Sequence, residues 1–488
     1  MTKVLSGLSP QPVWDIFEEI CQYPRPSKKE EKIANFIVNW AADNNFEVKK
    51  DKLGNIVVRK PATPGMENRM AVAIQGHIDM VSVKENNVIH DFDNDPIQPW
   101  IDGDWVRAKG TTLGADNGIG VAMGMAVMIS KDIPHPQLEL LCTLDEETGL
   151  TGAIQLGTDL LQADILINLD SEEDDAFTIG CAGGMNTSGT YAYSADAVPA
   201  GSVAFELTIK GLMGGHSGIE IHDGRANAIK FLNRLIYNAS DKFDLRISSL
   251  RAGSAHNAIP RDAFAIITIP ENQKSEFLDF VSSYDSMIKA EYSSKEPGIT
   301  ATAASANLPV RIMTKELQSN IMKSFYAMPH GVYRMSPDIK GLVQTSTNFA
   351  IVETRDNEVF VLTSQRSSVE SEKLDMAAMV KNAFELGGAV VKQGDGYPSW
   401  QPNVKSSVLN LGKNIYKEMF GVEPKIEAIH AGLECGLIGE KYPGMDMLSF
   451  GPNLKDVHSP DERVQISSVE KIWSLLKGIL VAIPVKNA

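Results

Sequence analysis

At 488 residues, 43% hydrophobic and 22% charged, the chain has the composition of an ordinary globular protein long enough for two or three domains. A formal charge of -16 disfavours nucleic acid and anionic lipid as partners, because both would be repelled, and no apolar run approaches the ~20 residues a membrane helix requires. Cys21, Cys142, Cys181 and Cys435 are scattered with no CxxC pair, which argues against a disulfide framework and a Cys-ligated zinc. The first twenty residues show no apolar stretch or cleavage site of a secretory signal, so a cytoplasmic protein is expected.

Ser27 followed by Glu30 reads as a capping box, and Ile33, Phe36, Ile37 and Trp40 recur at helical spacing, predicting an amphipathic helix over 28–44. Its apolar stripe implies a sheet beneath, supplied by the runs NIVVRK, MAVAIQ, LELLCTL and DILINL, an α/β layout. Near residue 187 the character changes. SVAFELTIKG is a period-2 strand, RANAIKFLNRLI has helical spacing, and strands follow at 245–251 and 262–269, together a second, α+β block. NFAIVET and VFVLTS flank RDNE as a hairpin, Ser367 with Glu370 predicts another capped helix, and 393–400 has the Gly/Pro content of a linker. From about 401 the chain returns to helix, then to the run DMLSFG and a terminal helix near 467–482.

Three predicted strands finish in the same way. AIQ runs into Gly76, His77 and Asp79; LELLCTL into Asp145, Glu146 and Glu147; DILINL into Asp170. Ligands of α/β sheets collect at the carboxyl ends of strands, so these side chains can converge on one crevice. Asp116, where the glycines of TTLGADNGIG give way to a helix, can face the same crevice. One histidine and several carboxylates without sulfur suit Zn²⁺, Mn²⁺ or Co²⁺, and a pair of such ions is a recurrent solution for hydrolysis. Glu146 and Glu147 then divide into a general base and a ligand. Two other motifs carry less. Gly118, Gly120 and Gly124 form GxGxxxG, one residue too long for a dinucleotide fingerprint, and Ile219 replaces the closing glycine of a GxSxG elbow in GGHSGIE.

The motifs GHIDM, GTTLGADNGIG, LDEETGLTGA, INLDSEE, GCAGG, LMGGHSGIEIHDGRANA and GPNLKDVHSPDERV occur in an order that resembles the dinuclear zinc metallopeptidase family containing the aminoacyl-histidine dipeptidases and carnosinases. The resemblance covers nearly the whole chain. It implies a catalytic domain with a mostly parallel central sheet flanked by helices, formed from 1–186 and 394–488. Residues 187–393 would be an inserted α+β lid that also dimerises the chain. It further implies two Zn²⁺ per subunit, with Co²⁺ or Mn²⁺ able to substitute, held by His77, Asp116 as bridge, Glu147, Asp170 and His458. In the same pattern Asp79 clamps the His77 ring, Glu146 is the general base acting on a metal-bridged hydroxide, and His216 stabilises the oxyanion, often in a neighbouring subunit's site. Asn257, Arg366 and Gly432 fall where relatives contact substrate. The implied reaction is hydrolysis of Xaa-His dipeptides, β-alanyl-histidine included. The rivals are a metal aminopeptidase, an N-acyl amino acid deacylase or a catalytically silent metal-binding scaffold.

Overall fold

The computed structural model describes residues 3–486; the outermost residues of the expected catalytic domain, 1–2 and 487–488, lie outside the described residues. The chain divides into two compact units. The first runs to Gly180 and resumes over Pro402–Ala428 and from Leu433 onward; the second is Cys181–Gln401 with Ile429–Gly432.

The first unit is α/β. Its eight-stranded sheet has the order Glu47–Lys50, Ile56–Lys60, Leu138–Thr143, Val72–His77, Ile165–Asn168, Asp446–Ser449, Ala176–Cys181, Lys425–Ile429. The four central strands, from Leu138–Thr143 to Asp446–Ser449, are parallel, and antiparallel strands extend the sheet on either side. Leu138–Thr143, Val72–His77 and Ile165–Asn168 are buried at every residue, as expected for strands covered on both faces. The helix Ala115–Ile129 packs on two of them and is buried at thirteen of its fifteen positions, which explains its Ala, Gly, Val and Met content. A separate four-stranded antiparallel sheet joins Pro99–Asp102 and Trp105–Ala108 to Leu454–Lys455 and Arg463–Gln465, tying the chain's far end to residues near 100. Among the described residues no helix is long and apolar enough to cross a membrane.

The second unit is α+β. Thr300–Ala306, Ser202–Lys210, Ala263–Pro270, Arg246–Ala252, Val343–Thr354, Glu358–Ser367, Gly183–Ala192 and Val390–Gln393 follow one another across an antiparallel sheet, and Gly331–Met335 adds to Val343–Thr354. The expected hairpin is the Val343–Thr354/Glu358–Ser367 pair. Helices Ala228–Phe243, Lys274–Tyr292, Lys315–Ala327 and Glu370–Leu386 bury Phe231, Phe277, Phe325 and Phe384 with Phe205, Leu207, Ile267 and Phe349 of the sheet in one core.

Both predicted capping boxes are absent. The first helix starts at Glu31 with no side-chain cap; Ser27 Oγ instead donates to Asp79 Oδ2, and Glu30 accepts from the backbone N–H of Lys28 and Asp145. Those side chains are recruited by the acidic cluster, where their hydrogen bonds go to buried groups rather than a solvated helix end. At the other helix Ser367 Oγ accepts from Val369 N, two residues on, and Val369 itself is the N-cap residue.

The glycines of GxGxxxG serve packing. A Cβ at Gly120 would lie 2.5 Å from Leu169 O, and one at Gly124 would lie 2.5 Å from Leu140 Cδ1, so glycine lets helix and sheet approach closely. Gly76 works from the sheet side: a Cβ there would lie 2.1 Å from Asn117 Oδ1, whose amide Nδ2 donates to Leu169 O at 2.6 Å. Gly76→Ala is expected to lower the stability of the chain by about 1–3 kcal/mol through overpacking, read as a reduced denaturation midpoint. An unchanged midpoint would show that the Asn117 wedge yields freely.

Candidate metal centre

His77 closes the strand Val72–His77 with its ring 1% exposed. Nε2 lies 3.0 Å from Asp116 Oδ1 and 3.5 Å from Asp170 Oδ1. Nδ1 faces Asp79 Oδ1 at 3.3 Å, within ion-pair distance although hydrogen-bond geometry is not met. Asp116 follows Gly114, whose left-handed φ of 69° turns the chain into the helix, and its own φ/ψ of -81°/108° is still extended. Its second oxygen, Oδ2, is 3.2 Å from His458 Nε2, and that nitrogen is 3.0 Å from Glu147 Oε2.

Two donor groups result, His77–Asp116–Asp170 and Asp116–Glu147–His458, each with ligand atoms all within 4.8 Å of one another. Asp116 belongs to both, one oxygen toward each. Glu146 shares a third grouping with His77 and Glu147. Buried Asp170 Oδ1 and Glu147 Oε1 have no hydrogen-bond partner, the condition of atoms reserved for a cation. Imidazole and carboxylate donors without sulfur fit a borderline divalent ion. The residues present therefore fit a pair of such ions sharing one carboxylate.

The electrostatics describe the same crowding. Burial pushes Asp170 up to about 7, with Asp116 and Glu147 adding to the rise against His77. Burial also carries Glu146 well above the usual range, opposed by His77 and reinforced by Asp170, Glu434 and Glu147. Burial would raise Asp116 too, but the imidazoles of His458 and His77 hold it well below the carboxylate range. Hydrogen bonds to Asp116 and Glu147 raise His458 to about 11, against burial. A divalent ion in either group would replace these protons and relieve the repulsion between the acids.

Surrounding residues fix the ligands. Asp79 is fully buried and accepts from the backbone N–H of Glu146 and Glu147 as well as from Ser27, so one carboxylate braces both the His77 ring and the two glutamates. Burial opposes that charge, yet His77, Glu146 N–H and Ser27 bring Asp79 down to about 2. Asp145 points elsewhere, accepting from the hydroxyls of Thr148 and Thr151. The sequence reading missed three supports. Glu462 accepts from four consecutive backbone N–H groups, Leu113 to Asp116. Buried Arg25 donates to the carbonyls of Ile78, Asp79 and Gly114. Glu434 takes Gln75 Nε2 and Thr143 Oγ1 on one oxygen while the other has no hydrogen-bond partner. Only Glu462 had a signal, as the acid four residues beyond His458.

The remaining expected site residues lie in the second unit. His216 is on a two-residue strand paired with Ala258–Ile259, and its neighbour Ser217 donates to the Asn257 carbonyl at 2.8 Å. His216 Nδ1 accepts from the N–H groups of Gly218 and Ile219, which assigns the ring proton to Nε2. Burial, with Arg366 and His256 adding, lowers its pKa and keeps it neutral. Arg366 is 7% exposed and donates from Nη1 to the Tyr397 hydroxyl at 2.9 Å. Gly432 packs against Tyr397, since a Cβ there would lie 2.8 Å from the ring.

A carboxylate–imidazole centre at the carboxyl ends of parallel strands defines a metal-dependent hydrolase. Residues 73–482 match Peptidase family M20/M25/M40, and the chain belongs to that family of peptide-bond hydrolases. It is 45% identical over 482 residues, 99% of both chains, to the cytosol non-specific dipeptidase of Escherichia coli. Among solved structures it is similar to the aminoacylhistidine dipeptidase of Vibrio alginolyticus, with a TM-score of 0.94 and 44% identity over 99% of each chain. A tripeptidase of Staphylococcus aureus shares the fold, with a TM-score of 0.56 and 16% identity over 98% of this chain and 99% of that one.

The shared position of Asp116 makes an asymmetric prediction. Asp116→Ala should lose both ions and His458→Ala only one, read as bound metal per chain after gel filtration. Two ions retained by Asp116→Ala would sink the shared-ligand arrangement.

Proposed function

We propose that the chain is a dinuclear metal dipeptidase that releases histidine from Xaa-His dipeptides, β-alanyl-histidine among them. The observation that carries this reading is the pair of donor groups joined at Asp116 with Glu146 beside them. The dipeptidase names of the two full-length relatives support the substrate class and, for one of them, a cytosolic setting. His77, Asp116 and Asp170 would hold one ion and Asp116, Glu147 and His458 the other, two Zn²⁺ with Mn²⁺ or Co²⁺ as substitutes. When bound, the ions acidify water and polarise the scissile carbonyl.

The chain's own residues complete the chemistry. Glu146 takes a proton from the attacking water and returns it to the leaving nitrogen, a role its raised proton affinity suits. His216 presents an Nε2–H donor to the oxyanion that forms at the carbonyl. Arg366, which like Asn257 and Gly432 falls at a substrate-contact position implied by the family resemblance, receives the free carboxylate at the dipeptide's C-terminus, for which a guanidinium fork is the matching shape. In this reading the first unit, expected from sequence as 1–186 with 394–488, is the catalytic domain, and the second, expected as 187–393 and here Cys181–Gln401 with Ile429–Gly432, is the lid through which two copies pair.

Chelated protein should release no histidine from β-alanyl-histidine and should recover on addition of Zn²⁺, Mn²⁺ or Co²⁺; silence with all three would overturn the proposal. Glu146→Gln should keep its metal complement and lose kcat by a factor on the order of 10²–10⁴. A wild-type rate in that variant would remove Glu146 from the mechanism.

A further inference from the structure

Arg366 is held in a way that its role alone does not require. It lies on the strand Glu358–Ser367, directly opposite Gly184 on Gly183–Ala192. The missing side chain of Gly184 is filled by the ring of Tyr397, whose backbone exchanges two hydrogen bonds with Gly184, at 3.1 and 2.9 Å. A Cβ at Gly184 would lie 2.6 Å from that ring, and one at Gly432 would lie 2.8 Å from its other edge. Two glycines from distant parts of the sequence thus clamp one aromatic ring.

The clamp aims the phenol at Arg366. Nη1 of Arg366 donates to the Tyr397 oxygen at 2.9 Å, so the phenolic hydrogen is left to donate onward. Burial raises the Tyr397 hydroxyl above its ordinary value, against Arg366, and keeps it a neutral donor. Nε of Arg366 is buried without a hydrogen-bond partner, a cost that an incoming acceptor would remove. Both groups line a cavity of about 110 Å³ walled by Met185, Asn186, His256 and Ser364. Its walls mix one apolar side chain with three hydrogen-bonding ones, a match for a small polar heterocycle such as imidazole and a poor match for a branched aliphatic chain.

We propose that Tyr397 is a positioning residue for Arg366: held between Gly184 and Gly432, its hydroxyl fixes the guanidinium in the orientation that receives the substrate's C-terminal carboxylate. The Arg366 fork takes the carboxylate, the Tyr397 hydroxyl acts through Arg366, and Met185, Asn186, His256 and Ser364 line the same cavity. The inference rests on the dipeptidase reading for its substrate but on the second unit's own geometry for its location.

Tyr397→Phe keeps the ring between the two glycines and deletes only the hydroxyl. With metal-loaded enzyme, KM for β-alanyl-histidine should rise about tenfold, the loss of one charge-assisted hydrogen bond, with kcat within twofold and an unchanged melting temperature. β-Alanyl-histidinamide, which lacks the carboxylate, should be cleaved with the same KM by both proteins. An unchanged KM for the acid, or an equal rise for acid and amide, would overturn the assignment. Calorimetry with free L-histidine separates this from the reaction itself. If the unmodified enzyme cleaves neither substrate, the dipeptidase reading has failed, and the positioning role still requires histidine to bind unmodified protein more tightly than Tyr397→Phe. Equal affinities would refute it.

Discussion

The carboxylate of Glu462 gathers four successive backbone N–H groups, those of Leu113, Gly114, Ala115 and Asp116, and the centre depends on that grip. The first turn of any helix leaves such donors unpaired. Here they are satisfied by an acid nearly 350 residues away in sequence, so the turn that presents Asp116 is tied to the far end of the chain. The same contact delivers His458, four residues before Glu462, to the second oxygen of Asp116. Arg25 closes the other side through the carbonyls of Gly114, Ile78 and Asp79. The Asp116 turn is thus fixed from both sides by buried charges whose partners are backbone groups, and these cannot change rotamer.

What is fixed in this way is a cluster that repels itself. His77, Asp79, Asp116, Glu146, Glu147, Asp170 and Glu434 occupy one partly buried region, in which burial raises Asp170 while the flanking imidazoles lower Asp116. Such a cluster lowers stability unless cations neutralise it, so metal affinity and fold stability are coupled through the same side chains. Asp79 is the exception that makes the arrangement workable, because its charge is spent on the N–H groups of Glu146 and Glu147 and on His77. It sets the spacing between Glu146 and Glu147, which are adjacent in sequence.

The parallel centre of the first sheet was legible because its strands are continuous apolar runs, and the clustering of His77, Glu146, Glu147 and Asp170 was legible because they lie at or just beyond the ends of those runs. The antiparallel α+β unit was legible from its period-2 strands and its RDNE hairpin. His458 came from resemblance alone, since no local periodicity connects a loop near the C-terminus to a turn at Gly114. Ser27 and Glu30 matched a capping box by spacing and were claimed instead by Asp79 and Asp145; local pattern cannot show a buried acceptor that arrives from elsewhere in the chain. The short strand Glu47–Lys50 and the sheet containing Trp105–Ala108 also escaped, being short and edge-like with mixed exposure.

One device recurs in both units. Gly76 and Gly120 leave room for the Asn117 side chain, which pins the turn carrying Asp116 to the end of the neighbouring strand. Gly184 and Gly432 leave room for the Tyr397 ring, which meets Arg366. In each case a functional side chain is flexible by itself and is made rigid by a neighbour wedged against backbone from two sides. Hydrolysis needs the reacting groups held to within a fraction of an ångström, and a wedge between glycines provides this without adding another charge to a region already crowded with them. That is a physical reason for glycines at positions where no turn requires them, and it ties the precision of the acidic cluster and of the Arg366 pocket to backbone positions that carry no functional side chain of their own.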